Sequence, residues 1–168
     1  MAVADLYWID LEFPGRLAVA PKPRGGDWLE DEIRSWRAQA IDCVVCLLEN
    51  DEIAELSLGA EAKYCAENEV AFLRFPIADR GLPDSHREAI ALVRDIANRL
   101  QTGQNVLIHC RAGIGRTGLV AAGTLISLGV APEHALAAIG TARRVQVPDT
   151  DAQRDWIFAF AQNWDAAH

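Results

Sequence analysis

His109, Cys110, Arg111, Ala112, Gly113, Ile114, Gly115, Arg116, Thr117 and Gly118 run consecutively, so a cysteine, a glycine-rich loop and an arginine can all touch one phosphate. Cys110 is the candidate nucleophile. A free thiol of pKa about 8.5 is only a few per cent thiolate at pH 7, whereas loop amides and a helix dipole favour the anion. Lowering that pKa by about 3 units, worth about 4 kcal/mol, makes the thiol almost wholly thiolate. Arg116 carries a planar, permanently charged fork suited to two phosphate oxygens, and its spacing from Cys110 lets both face the centre of a curled loop. Gly113 and Gly115 permit the curl. Arg111, Ala112, Gly113, Ile114, Gly115 and Arg116 are therefore the candidate substrate-binding set. Thr117 Oγ is placed to hydrogen-bond the sulfur when it departs, and His109 to fix the loop rather than to act as a base.

Such a loop needs a strand before it and a helix after it. Asn105 to Ile108 is apolar and β-branched, and Leu119 to Leu128 reads as a buried helix, so free N–H groups should gather at a helix N-terminus and attract an anion. Strands are expected at Tyr7 to Ile9, Leu17 to Ala20, Ile41 to Leu48, Val70 to Phe75 and Val106 to His109. Helices are expected at Trp28 to Ala38, Leu58 to Asn68, Ser85 to Leu100, Arg116 to Leu128, Pro132 to Ile139 and Ala152 to Ala161. This alternation predicts an α/β fold, a central and mostly parallel sheet of about five strands with helices on both faces. The nucleophile should stand at the carboxyl end of an interior strand.

Phosphoryl transfer to sulfur also needs a proton for the departing oxygen. The segment Phe72 to Asp84 leads from a strand into a Gly/Pro loop that carries Asp79, a carboxylic acid able to reach the pocket. Asp84, the competing acid, precedes a helix, and it or Ser85 suits an N-cap better. Gly113-Ile114-Gly115-Arg116-Thr117-Gly118 also fits a dinucleotide fingerprint, but Ala131-Pro132-Glu133-His134 begins a helix where a second strand with an acidic ribose ligand is required.

His109-Cys110, five residues, Arg116-Thr117-Gly118 resembles the signature of the cysteine-dependent protein tyrosine phosphatase superfamily, with every position filled. A rhodanese-type sulfurtransferase would have a shorter active loop and no upstream acid. The resemblance makes Asp79, in Pro76-Ile77-Ala78-Asp79, the general acid, which becomes the general base during hydrolysis of a phosphocysteine. In the turn Val147 to Trp156 it makes Gln153, rather than Gln146, the glutamine that orients the hydrolytic water. Arg143 and Arg144 border the same region and are candidates for attracting anionic substrates. From about Asp27 through Phe160 the element order is similar to the compact dual-specificity group, and Leu82-Pro83-Asp84 beside the acid is most like the cyclin-dependent-kinase-associated type.

The resemblance implies hydrolysis of phosphotyrosine in proteins at a shallow site, with tolerance for phosphoserine or phosphothreonine and without cofactor or metal. An inositol phosphate or phosphoinositide phosphatase is the alternative. Lipid phosphatases of the phosphatase-and-tensin type carry basic residues at the positions of Arg111 and Ile114, and only the first is basic here. A non-catalytic phosphopeptide-binding module would be favoured by loss of the cysteine, arginine or acid, and all are present.

Cys43 and Cys46 have C-x-x-C spacing, but on a strand residues three apart face opposite sides, which disfavours a chelate or disulfide between them. In some relatives a cysteine near Cys46 bonds the oxidised nucleophile. Cys65 reads as packing, His86 and His134 as surface residues in first helical turns, and the five tryptophans as core or helix packing. A length of 168 residues with 51% hydrophobic composition suits one catalytic domain over 1–168. The N-terminus lacks a basic signal region, no apolar run reaches a membrane span, and the cysteine usage suits a reducing compartment, so a cytoplasmic monomer is expected. The net charge of −8 argues against binding to nucleic acid or stable membrane association.

Overall fold

The computed structural model describes residues 4–167; residues 1–3 and 168 of the expected domain lie outside the described residues. Its centre is a five-stranded sheet in the order β1-β2-β5-β3-β4. The strands are β1 (Tyr7–Trp8), β2 (Leu17–Ala20), β3 (Cys43–Cys46), β4 (Ala71–Arg74) and β5 (Val106–His109). All neighbours pair in parallel except β1, which runs antiparallel to β2, so the sheet is mixed, with one antiparallel edge pair. β5 lies in the middle with Ala20 and Cys46 on either side of His109, placing the Cys110 loop at the carboxyl end of an interior strand as expected.

Side-chain alternation builds two cores. Cys43 and Val45 face α4 (His86–Gln101), α5 (Gly115–Ser127), α6 (Pro132–Arg143) and α7 (Asp151–Ala167). Val44 and Cys46 face α1 (Leu29–Ala38) and α3 (Glu61–Glu67). The two cysteines thus sit on opposite faces, as strand geometry requires. Cys110 packs with the core that holds Cys43, while Cys46 belongs to the other. α4 is amphipathic and starts where Ser85 Oγ accepts the Glu88 N–H at 3.2 Å, an N-cap that leaves Asp84 outside the helix. α5 is buried from Gly115 through Ile126, which is why it reads as uniformly apolar after Gly118.

Three local expectations need correction. The expected helix from Leu58 to Asn68 begins only at Glu61, and a short helix, α2 (Asn50–Glu55), precedes it where no helix was expected. Asn50-Asp51-Glu52-Ile53-Ala54-Glu55 is too short and acidic to show an apolar period. Trp28 lies in a single 3₁₀ turn (Gly26–Trp28) and is 57% exposed under the Arg24 guanidinium, so it is not a core tryptophan. α6 and α7 extend past their expected ends, to Arg143 and Ala167, because their last turns carry polar residues that end the periodic signal before the backbone hydrogen bonding ends.

Candidate active site

Cys110 leaves β5 at the first turn of the loop and is 2% exposed, with its sulfur accepting the Gly113 N–H at 3.3 Å. The loop can turn its amides inward because its carbonyls are held outside. Arg111 O accepts the Lys22 N–H at 3.0 Å, Ala112 O accepts Arg143 Nη2–H at 3.0 Å, and Gly113 O accepts Arg143 Nε–H at 3.2 Å. Arg143 in turn stacks over Tyr7, 4.1 Å from the ring centroid. Its side chain therefore braces the loop from behind. Gly113 adopts φ +74°, and a Cβ there would stand 2.4 Å from the Ala20 carbonyl carbon, so glycine is required twice over. At Gly115 a Cβ would meet Asp149 Oδ2 at 2.5 Å and Gln153 Oε1 at 3.0 Å.

Arg116, in the first turn of α5, is buried and its guanidinium meets three residues, one from α2 and two from the loop after β4. Nη1 donates to Glu52 Oε1 at 2.6 Å and to Ile77 O at 2.9 Å. Nη2 donates to Glu52 Oε2 at 2.9 Å and to Asp79 Oδ1 at 3.3 Å. The bidentate carboxylate fixes the plane of the fork. Arg116's hydrogen bond holds the Glu52 carboxyl below the usual carboxylate range despite its burial. Burial opposes the Arg116 charge, but Glu52, Cys110 and Asp79 raise its pKa further above the ordinary value.

Asp79 stands on an exposed turn closed by the Gly81 N–H to Ala78 O bond at 2.7 Å, and its side chain remains 62% exposed. Gln153 is fully buried beneath that turn. Its Nε2 donates to Gly81 O at 3.1 Å, while Oε1 accepts the N–H groups of Asp149 and Thr150 at 3.2 and 3.3 Å. The amide thus ties the acid turn to the start of α7. Thr117 Oγ1 is buried without a hydrogen-bond partner, and it makes no bond to Cys110 Sγ in this arrangement. Arg111 turns away from the loop centre to pair with Glu55 at 3.1 Å, with Glu52 at 4.0 Å. Ile114 packs partly into the core, and Arg144 closes α6 in the left-handed conformation at φ 58°.

His109 fixes the loop through two contacts. Nδ1 is 3.2 Å from Cys110 O, and Nε2 is 2.6 Å from Glu61 Oε2. Donor atoms of Cys46, Glu61 and His109 lie within 4.8 Å of one another, the metal-type cluster found among the described residues. Its carboxylate and imidazole are engaged with each other at hydrogen-bond distance. Glu52 and Glu61 are the site residues that sequence reasoning missed. Glu52 comes from a short helix that was not expected and Glu61 from the first turn of one that was, and only tertiary packing brings either to the ends of the loop.

Cys110, the Gly113 N–H, the Arg116 fork and the Asp79 carboxylate thus converge at the end of a central parallel strand, the arrangement that the sequence resemblance to cysteine-dependent phosphatases implies. Residues 19–130 match the family model described as "Polymorphic toxin system, DSP-PTPase phosphatase", and the chain belongs to this dual-specificity phosphatase family. It is similar to cyclin-dependent kinase inhibitor 3 of Homo sapiens, 33% identical over 95 residues that cover 55% of this chain and 44% of that protein. It is also similar to protein 197R of Invertebrate iridescent virus 6, named as a tyrosine phosphatase, 32% identical over 89 residues that cover 49% and 34%. The chain therefore spans less than half the length of these curated relatives. Among solved structures, kinase associated phosphatase with its catalytic-site cysteine changed to serine superposes with a TM-score of 0.89 at 20% identity, covering 100% of this chain and 99% of that one. A mutant form of Tk-PTP superposes with a TM-score of 0.76 at 28% identity, covering 96% and 97%. No helix among the described residues is long and apolar enough to cross a membrane.

Proposed function

We propose that this chain hydrolyses phosphotyrosine in proteins, with tolerance for phosphoserine and phosphothreonine, through a phosphocysteine on Cys110. The observation that carries this reading is the convergence of Arg116 with Asp79 at 3.3 Å beside a buried cysteine whose sulfur already accepts a loop amide. Arg116 spends its Nη1 hydrogens on Glu52 and Ile77, leaving Nε–H and the Asp79-facing Nη2–H for two phosphate oxygens. A phosphate oxygen that takes Nη2–H releases Asp79 towards the leaving oxygen. Cys110 Sγ attacks phosphorus, the P–O bond to the leaving group breaks, and Asp79 supplies that oxygen with a proton. Water then attacks the phosphocysteine, Asp79 takes its proton, and the thiolate departs as inorganic phosphate forms. Thr117 Oγ1, buried and unpartnered, is the donor available to the departing sulfur after a small loop adjustment. Gln153 serves this cycle by holding the acid turn, since its amide is engaged with Gly81, Asp149 and Thr150.

The inositol phosphate reading is weaker on charge. Ile114 adds no cation, and Arg111 is paired with α2 carboxylates. One solved structure of similar fold is PTPMT1 in complex with PI(5)P, at 21% identity. Release of phosphate from inositol polyphosphates faster than from phosphopeptides would reverse this preference. The primary test is hydrolysis of an aryl phosphate without added metal. Cys110→Ser and Arg116→Ala should show no turnover, and Asp79→Asn strongly reduced turnover. Activity that survives Cys110→Ser, or that requires a divalent metal, contradicts the mechanism.

A further inference from the structure

Glu61 has no role in the chemistry described above, yet it is a carboxylate 2% exposed and placed under the nucleophile. Its Oε2 is 2.6 Å from His109 Nε2, and its Oε1 is buried with no hydrogen-bond partner. A carboxylate in that position is tolerated only with a strong partner, and its partner is the imidazole. The ring is also fully buried and lies 5.9 Å from the Trp36 ring. Its other nitrogen, Nδ1, is 3.2 Å from the Cys110 carbonyl oxygen. Both nitrogens therefore face acceptors. A neutral imidazole has one N–H and one bare lone pair, so it would turn that lone pair against an oxygen at one end or the other. An imidazolium satisfies both.

Resting on the reading of Cys110 as nucleophile, we propose that Glu61 is a positioning residue for the phosphate loop. Its carboxylate keeps both ring nitrogens of His109 protonated, Nδ1–H is donated to the Cys110 carbonyl, and the positive end of the buried pair points towards the reacting sulfur. Burial opposes the imidazolium, but the Glu61 charge, with contributions from Cys46 and the hydrogen bonds, raises the His109 pKa well above its ordinary value. The titratable groups facing the ring are Cys46 from β3 and Glu61 from α3, and the loop meets it through the Cys110 carbonyl. The Trp36 side chain of α1 adds no charge. Because Glu61 acts at the far side of the histidine, it tunes the loop without touching substrate.

Two readouts test this. In the wild-type protein, long-range proton–nitrogen spectra, with His109 assigned by its loss in His109→Asn, should show both ring nitrogens protonated at pH 7 to 8. A neutral-tautomer signature there overturns the proposal. In Glu61→Gln the amide can still hydrogen-bond, but the charge that holds the second proton is gone. Alkylation of Cys110 by iodoacetamide, mapped by mass spectrometry across pH, should then shift its midpoint upward by about half to one unit, making it about 3- to 10-fold slower at pH values well below both midpoints. Glu61→Asp should recover part of the shift. A wild-type alkylation profile in Glu61→Gln overturns the proposal even if that variant is less stable. If Glu61→Gln does not fold, the wild-type spectra decide alone. Turnover surviving Cys110→Ser removes the nucleophile reading, whereas alkylation reports on the thiol whatever the reaction proves to be.

Discussion

Arg116 illustrates how a charged residue can be buried and still available to bind. Glu52 takes one edge of its guanidinium bidentately and leaves the other towards Asp79 and the loop. Removing the carboxylate charge in Glu52→Gln leaves a buried cation short of its counterion, which should cost about 3 kcal/mol of stability and lower kcat/KM by misaligning the fork. The pH dependence has a definite sign. The folded-state Glu52 pKa is lowered by Arg116, so the pair's stabilisation is present above the unfolded carboxylate value of about 4.3 and is lost as pH falls through the folded value. Urea midpoints of wild type and Glu52→Gln should therefore differ most above about pH 5 and draw together on acidification. A gap independent of pH contradicts the ion-pair assignment. The same scale separates the cysteines, since burial pushes the Cys43 thiol up to about 11 and the Cys65 thiol up to about 12. Both should stay unmodified while iodoacetamide labels Cys110 in the folded protein at pH 7.5.

At the scale of elements, the loop is a strand end and a helix start braced from two sides, by the segment after β2 through the Lys22 N–H and by α6 through Arg143. Arg143→Ala should lower kcat roughly tenfold with little change in thermal midpoint, because it frees two loop carbonyls near solvent and opens no cavity. Gly113→Ala combines a positive φ with a 2.4 Å clash at Ala20 and should cost about 1–3 kcal/mol along with most activity. Equal activity in either variant, measured on an aryl phosphate, would show that the loop holds its own shape. The loop itself was legible in the sequence because its parts are contiguous and its glycines are forced by local geometry. Asp79 could be picked out because a loop after a strand carried an acid in a familiar frame. Glu52 and Glu61 were illegible for the opposite reason. The helix of Glu52 is too short to show an apolar period, and in the expected helix of Glu61 nothing local says that this one carboxylate turns inward to His109. Gln153 was legible as a residue of the final turn, but its ties to Gly81, Asp149 and Thr150 depend on tertiary structure.

For the whole molecule, the mixed sheet places the Cys110 loop where a central parallel strand ends and a buried helix begins, the point on which loop amides and helix dipole act in the proposed reaction. The net charge of −8 makes that point a local exception, which Arg116 and the amides must sustain against the surrounding field. The two buried pairs, Glu52 with Arg116 and Glu61 with His109, tie α2 and α3 to the two ends of this one loop. The most direct test is to trap the intermediate. With a good aryl leaving group the first step needs little protonation, whereas hydrolysis of the phosphocysteine still needs a base to activate water. Asp79→Asn should therefore release a burst of about one equivalent of aryl alcohol and, after acid quench, carry phosphate on Cys110 in the peptide map. Phosphate on another residue, or a burst that persists in Cys110→Ser, would contradict a reaction run through the cysteine.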